Sequence, residues 1–368
     1  MLRKPLYRVE VNGIDYTSRF RPVVKSIRVS DRSGVATDSA SILVADRNGS
    51  VKLPTEGDRM RILLGDSIDG VGLAFSGFVA DVLSRGSKRG GRELDISAKG
   101  VDPRSSAREA QGRHLDDTTL GEAAKKFAEN AGIDGVVVAP ELSLIERPYW
   151  SMQFESFMHW GQRISREVGA TFKMQDGKAI FLPSNAGKSA GGVALPTVRA
   201  AFGENLLNWS ITPTSSRERS RKVRARYFDE RKSRWIDRDA EIEGGSGPIF
   251  TDRFTSSSEK TADARAASLK SRAERNGGEG SVLILGTAFA KPEAPLLLSG
   301  TRPGIDGTYV IDGVEHNLTK RGGYVVTCEV KKPSSEVGKD SRTGSATPSS
   351  PSTASTSPTS TGRAAGPV

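Results

Sequence analysis

The first hundred residues are a succession of strand-length stretches cut by tight-turn signals, and no other feature restricts the fold as strongly. Tyr7-Arg8-Val9-Glu10-Val11 and Ile14-Asp15-Tyr16-Thr17 flank Asn12-Gly13, a dipeptide that supplies the positive φ angles of a two-residue hairpin. Further strands are expected over 24–29, 39–45, 59–64, 73–83 and 93–99. In the last of these Leu94, Ile96 and Ala98 would face one side and Asp95, Ser97 and Lys99 the other, the period of a half-buried strand. Asn48-Gly49, Glu56-Gly57-Asp58 and Arg89-Gly90-Gly91 punctuate them. Many short strands at this spacing indicate a barrel or sandwich.

The pattern then turns helical. Thr119-Leu120-Gly121-Glu122 is a capping box, and Leu120, Ala123, Ala124, Phe127, Ala128 and Ala131 follow on one helical face until Gly132 ends the run. A second helix is expected over 156–168, with Phe157, Trp160, Ile164 and Val168 as its buried stripe and Gly169 as its stop. A hairpin follows, 170–174 and 178–182 around Gln175-Asp176-Gly177. Residues 111–185 thus read as a small α+β domain after a β domain over 1–110. The Ser-, Gly- and Ala-rich stretch 186–198 reads as a linker.

Strands resume from about 206. The stretch 222–228 alternates strictly, with Val223, Ala225 and Tyr227 on one face and Lys222, Arg224 and Arg226 on the other. A helical insertion is expected near 258–276, carrying Ala262, Ala266, Leu269 and Ala273. Strands over 282–288, 296–298, 309–314 and 324–330 complete a second β domain, 199–333. The remainder, 334–368, is nearly all Ser, Thr, Pro, Gly and Ala and is expected to be disordered, because it has too little apolar surface to offset chain entropy. The fold class is therefore α+β, mostly β: β domain, α+β domain, β domain, tail.

A chain of 368 residues can bury about three quarters of its unfolded surface without disulfide staples. The single Cys328 cannot form an internal bridge, and a reducing compartment is the simpler reading. No stretch approaches the roughly 18 consecutive apolar residues of a membrane span, and Met1–Glu10 lacks the apolar region of a signal peptide. The net charge of +10 permits anionic partners, but no nucleic-acid motif accompanies it.

Chemistry-bearing patterns are sparse. Gly187-Lys188-Ser189-Ala190-Gly191 matches a nucleophile elbow in letters only, since the Pro196 that follows denies it a helix. Asn185-Ala186-Gly187-Lys188-Ser189 ends like a phosphate loop, but the position that needs the first glycine is Leu182. His114, His159 and His316 have no zinc spacing. His114 is read in a loop leading to the helix cap, and His316 as making a structural hydrogen bond near Asp312 and Glu315. Glu141, Glu146, Glu155 and Glu167 are read as solvated charges, because nothing sets two of them across a cleft. Cys328, in step with Val326 and Val330, is read as a small buried hydrophobe. No catalytic residue, metal or cofactor is expected.

The strongest charge signal is the run 217–238, with ten Lys or Arg residues against four acids. Lys222, Arg224 and Arg226 on one strand face are the candidate subunit-contact or channel-lining residues. An inert solvated face and contact with DNA phosphates stay open as alternatives.

With this order in place, three stretches carry a resemblance. They are Gly100-Val101-Asp102 with Thr119-Leu120-Gly121-Glu122; Gln153 to Trp160 with Glu167-Val168-Gly169-Ala170 and Asp176-Gly177; and Gly304 to Val310 with Val314-Glu315-His316-Asn317-Leu318. Together they resemble the phage late control D family, the baseplate hubs of contractile tails, which is similar to the N-terminal hub region of VgrG proteins. The resemblance spans about residues 5–332, with Phe157-Met158-His159-Trp160 departing from the family's usual helix start. It implies two tail-tube-like β-barrel domains per chain and a homotrimer presenting six barrels in a pseudo-sixfold ring. It further implies a virion protein, made in the host cytoplasm, whose partners are the tail tube, a separate spike protein and other baseplate or tape-measure proteins. Nucleic acid would pass only in transit. A tail-associated peptidoglycan hydrolase and a DNA-binding module are the rival functions.

Overall fold

The computed structural model describes residues 3–331, apart from 35, 89–90, 134, 185–186, 188–192, 213–219, 243–244, 246, 257 and 276–277, together with Val337. The fold is mostly β with few helices.

The first segment runs β1 (Pro5–Val11), β2 (Ile14–Asp15), the single turn α1 (Thr17–Phe20), β3 (Val24–Arg32), β4 (Ser39–Ala45), β5 (Arg59–Asp66), β6 (Gly70–Ser87) and β7 (Gly91–Lys99). Asn12 and Gly13 take φ angles of 49° and 79°, as a mirror-image hairpin turn requires. The alternation of β7 is realised, with Leu94, Ile96 and Ala98 all buried.

The second segment is β8 (Gln111–Thr119), α2 (Leu120–Asn130), β9 (Gly135–Val138), α3 (Pro140–Ser143), β10 (Glu146–Glu155), α4 (Phe157–Val168), β11 (Ala170–Gln175) and β12 (Lys178–Pro183). Thr119 caps α2 by accepting from the Glu122 amide, Ser156 caps α4 by accepting from the His159 amide, and Gly169 closes α4 at φ 71°. β8 and β10 form a two-stranded ladder, and β11-β12-β9 a three-stranded sheet. Trp160 is fully buried, edge-on to Phe127 at 5.0 Å between ring centres and surrounded by Phe157 and Phe181.

The third segment is β13 (Val198–Ala201), β14 (Leu206–Thr212), β15 (Ser220–Asp229), β16 (Arg234–Glu241), β17 (Gly247–Ser256), α5 (Glu259–Arg275), β18 (Glu279–Leu285), β19 (Pro295–Ser299), β20 (Gly307–Thr319) and β21 (Gly323–Lys331). The expected helix is α5. What interrupts the surrounding strands is larger than a helix, however: β16-β15-β17 form their own sheet, and Ala225 and Tyr227 pack on Ala262 and Ala266 of α5 in a separate small core.

The remaining strands join across the chain into one 13-stranded sheet. Its two halves are β3-β4-β7-β6-β5-β1, with β2 beyond, and β14-β18-β21-β20, with β19 and β13 branching from β20. The seam is the antiparallel pairing of β3 with β20, from Gly313 opposite Arg32 to Thr319 opposite Ser26. A single apolar cluster runs from Val9 through Ile62 and Ile96 to Tyr309 and Cys328. Among the described residues no ladder closes either half into a barrel. The tail 334–368 lies outside the described residues except for Val337, which is buried against this cluster.

The second segment is welded to the sheet by charge. Lys173 on β11 reaches Asp31 on β3 at 2.5 Å and Asp38 at 2.7 Å, while the Met174 amide donates to the Ala36 carbonyl at 2.6 Å. Burial and the Asp31 charge push the Asp38 carboxyl up to about 7, against the pull of Lys173. His316 lies in the same region, lining with Asp31, Lys173 and Lys291 a cavity of about 260 Å³. Burial pushes its imidazole down to about 4.

These two groups act oppositely on stability. Folded Asp38 holds its proton to higher pH than an unfolded aspartate, so its contribution is full below the unfolded value of about 4 and is lost as pH rises through 7. Folded His316 resists protonation, so its contribution is present above the unfolded value of about 6.5 and is lost as pH falls toward 4. Asp38→Asn removes the first and unmasks the second. The melting temperature of that variant should fall on acidification across this window more steeply than that of the unaltered chain. Parallel profiles would show that Asp38 does not titrate there.

Candidate subunit-contact face

β15 owes its place to Ala225 and Tyr227, which pack on α5, and to Val223, buried in step with them. That orientation turns Lys222, Arg224 and Arg226 together onto the opposite face, as the alternation implies. Across the ladder, however, the register sets Lys222 opposite Glu241, Arg224 opposite Asp239 and Arg226 opposite Asp237. Lys222 Nζ is 3.1 Å from Glu241, and Arg226 Nη2 is 3.1 Å from Asp237. Arg224 donates twice to Asp239, Nε at 2.7 Å and Nη2 at 2.8 Å, and its Nη1 is 3.3 Å from Asp237. The hydrogen bonds to Asp239 raise the Arg224 pKa and, reciprocally, hold Asp239 below the usual carboxylate range.

The face that sequence marks as basic is therefore a ladder of alternating charge, neutralised within the chain. Arg238 is spent likewise on Asp263 and Glu259 of α5. At the turn end of the ladder Phe228 and Trp235 meet edge to face, their ring centres 5.3 Å apart, and both are exposed. Arg217 and Arg219, at the start of the run, lie outside the described residues.

The other singled-out residues resolve into structural roles. His114 is in strand β8, not a loop, and stacks on Tyr149. His316 does make a buried hydrogen bond, but to Tyr324 Oη at 2.8 Å, and Tyr324 Oη donates onward to the Thr287 carbonyl at 3.1 Å. Glu155 and Glu167 do come together, with Arg163 between them: Nη2 to Glu155 at 2.5 Å and Nη1 to Glu167 at 3.3 Å. Glu155 also meets His159 Nδ1 at 2.6 Å. Burial pushes Glu155 up, but the hydrogen bond and charge of Arg163, with His159 behind them, carry it below the usual carboxylate range. Glu155, held below the usual range by Arg163, does not fit the protonated member that glycoside cleavage requires. Cys328 is buried, and burial pushes its thiol up to about 12, so it is a poor nucleophile. The 187–191 match lies outside the described residues save Gly187. Among the described residues no cluster of His, Cys, Asp and Glu could hold a metal ion, and no helix is long and apolar enough to cross a membrane.

This fold recurs in tail proteins. No family model matches the chain, but a protein of Escherichia phage 186 described as a probable baseplate hub protein is 25% identical over 358 residues, covering 86% of this chain and 90% of the relative. The protein of the same description in Escherichia phage P2 is 27% identical over 196 residues, 53% of this chain and 49% of the relative. A tail protein from Neisseria meningitidis has the same fold, with a TM-score of 0.67, 15% identity and coverage of 89% of this chain and 96% of that one. So does the Escherichia coli c3393 protein, a type VI secretion component similar to T4 tail proteins gp27 and gp5, with a TM-score of 0.57, 12% identity and coverage of 90% and 78%. The resemblance to the late control D family and to VgrG-like hubs is thereby borne out.

Proposed function

We propose that the chain is the structural baseplate hub of a contractile phage tail or related injection device. It trimerises into a ring that joins the tail tube to a separate spike protein, as part of the virion. The observation that carries this reading is similarity along nearly the whole of a phage baseplate hub protein. The sheet supplies a physical rationale. Two halves of comparable strand number lie edge to edge in one chain, so three chains would present six similar units and match a threefold spike to a sixfold tube. Outer strands with unpaired backbone groups need cover. Among the described residues β14 is such a strand, with exposed Leu207 on it and Phe202 beside it, and a neighbouring subunit in a closed ring would bury it. The β15–β16 ladder, being neutral in sum, would add register to such a contact more than affinity.

Light scattering on the purified chain, with negative-stain imaging, tests the ring. Threefold particles with a central pore are expected. A strict monomer, both alone and with its tube and spike proteins present, would remove the proposal.

A further inference from the structure

Cations, most of them without a carboxylate partner among the described residues, gather at one end of the large sheet. Lys25 is the second residue of β3, Arg47 follows β4, Lys88 and Arg92 flank the β6–β7 turn, and Lys320 and Arg321 lie in the β20–β21 turn. Backbone bonds hold these segments side by side: the Ala45 amide donates to Val23 at 2.8 Å, the Asp46 amide to Arg92 at 2.9 Å and the Lys320 amide to Lys25 at 3.1 Å. All six basic side chains are exposed. The carboxylates among them are already engaged, Glu93 with Lys25 and buried Asp46 with the Val51 amide. Among the described residues Arg47, Lys88, Arg92, Lys320 and Arg321 have no ion-pair partner. A depression of about 780 Å³ opens here, apolar at Pro22, Val23 and Val24 and basic at Lys25, Arg47 and Lys320. A second depression adjoins it through Lys25 and Arg47.

We propose that this end of the sheet docks an acidic segment of another protein, one whose Asp or Glu residues alternate with apolar side chains. Like charges held together without counter-charge repel one another, and an anionic partner removes that repulsion while steering its own approach. The apolar strip at Pro22–Val24 has a use for a peptide side chain and none for a phosphate backbone. No aromatic ring lines either depression to stack a base. The chain's own end does not fit, since Glu336 and Asp340 are outnumbered there by Lys332, Lys339, Arg342 and Arg363. A second copy approaches with the same net charge of +10. The inference deepens the hub reading by naming a partner's chemistry, and rests on it only for that partner's being another component of the assembly.

Fluorescence anisotropy on the full chain, with a labelled short peptide alternating Glu and Leu, tests it. Saturable binding is expected, and Arg47→Glu/Lys320→Glu/Arg321→Glu should weaken it at least about tenfold. Arg231→Glu/Lys232→Glu at the β15–β16 turn should leave it unchanged. These side chains are exposed, so melting temperatures should not move; if reversal unfolds the chain, the triple Gln variant carries the same comparison. Absent binding, binding indifferent to the rim, or displacement of the peptide by a DNA duplex that binds more tightly would each overturn the proposal. Light scattering on the same samples keeps the two readings apart. A trimer that ignores the peptide retains the hub and overturns the docking site, a monomer that binds through the rim does the reverse, and a rim variant altered only in assembly mass assigns the surface to a second copy.

Discussion

Lys173→Met should destabilise the protein by about 3–5 kcal/mol above neutral pH, the range for removing one partner from a buried ion pair. Among the described residues Lys173 is the only ion-pair partner of Asp31 and Asp38, which lie close enough together for the Asp31 charge to raise the Asp38 pKa. Methionine preserves the packing of the lysine stem, so what is lost is charge compensation. Two signatures follow. The loss should shrink as pH falls toward 7, because Asp38, freed of the downward pull of Lys173, takes up a proton at higher pH and one charge disappears. Adding Asp38→Asn to Lys173→Met should recover part of the stability, a coupling that a double-mutant cycle in urea would measure. Equal losses at all pH values, with no recovery, would mean that the effect is packing and that charge does not hold the second segment to the sheet.

Trp160→Ala should cost about 3–5 kcal/mol, as for other large aromatic truncations in a packed core. The ring has no exposed surface and is enclosed by Phe127, Phe157 and Phe181, which are held on α2, α4 and β12 and cannot all collapse inward. Trp160→Phe should lose markedly less. Hydrogen exchange should report the damage in α2 and α4 before β20 and β21, because the aromatic core and the sheet core are separate clusters. Uniform exchange across both would show that the two cores unfold as one unit.

Much of this was legible in the chain. Strands announced themselves where alternation met a turn residue, as at Leu94, Ile96 and Ala98 or at Asn12-Gly13, and helices where a cap met an apolar stripe, as at Ser156 before Phe157, Trp160 and Ile164. What stayed hidden was carried by partners distant in sequence. β8, from Gln111 to Thr119, is polar but for Leu115 and the small Gly112, and is held as a strand by its pairing with β10. The acids that silence Arg224 and Arg226 stand on the next strand, and only the register from Lys222 opposite Glu241 to Asp229 opposite Arg234 reveals that the run is not a free basic face. The actual excess of positive charge is assembled from residues between Lys25 and Arg321, and no local window contains it. The pairing of β3 with β20 joins strands of the first and third segments into one sheet, a long-range choice that neither strand's composition encodes.

That seam has a bearing on how the molecule is made. Everything β3 needs on one flank is supplied early, by β4, but its other flank waits for β20, which leaves the ribosome only after nearly all the intervening chain. Until then the nascent protein exposes an open strand margin beside an incomplete apolar layer, a condition that invites mispairing with other chains. Closing so distant a contact is slow by its topology. A half-synthesised copy therefore cannot complete the sheet, and the order of synthesis itself delays its closure until β20 has emerged.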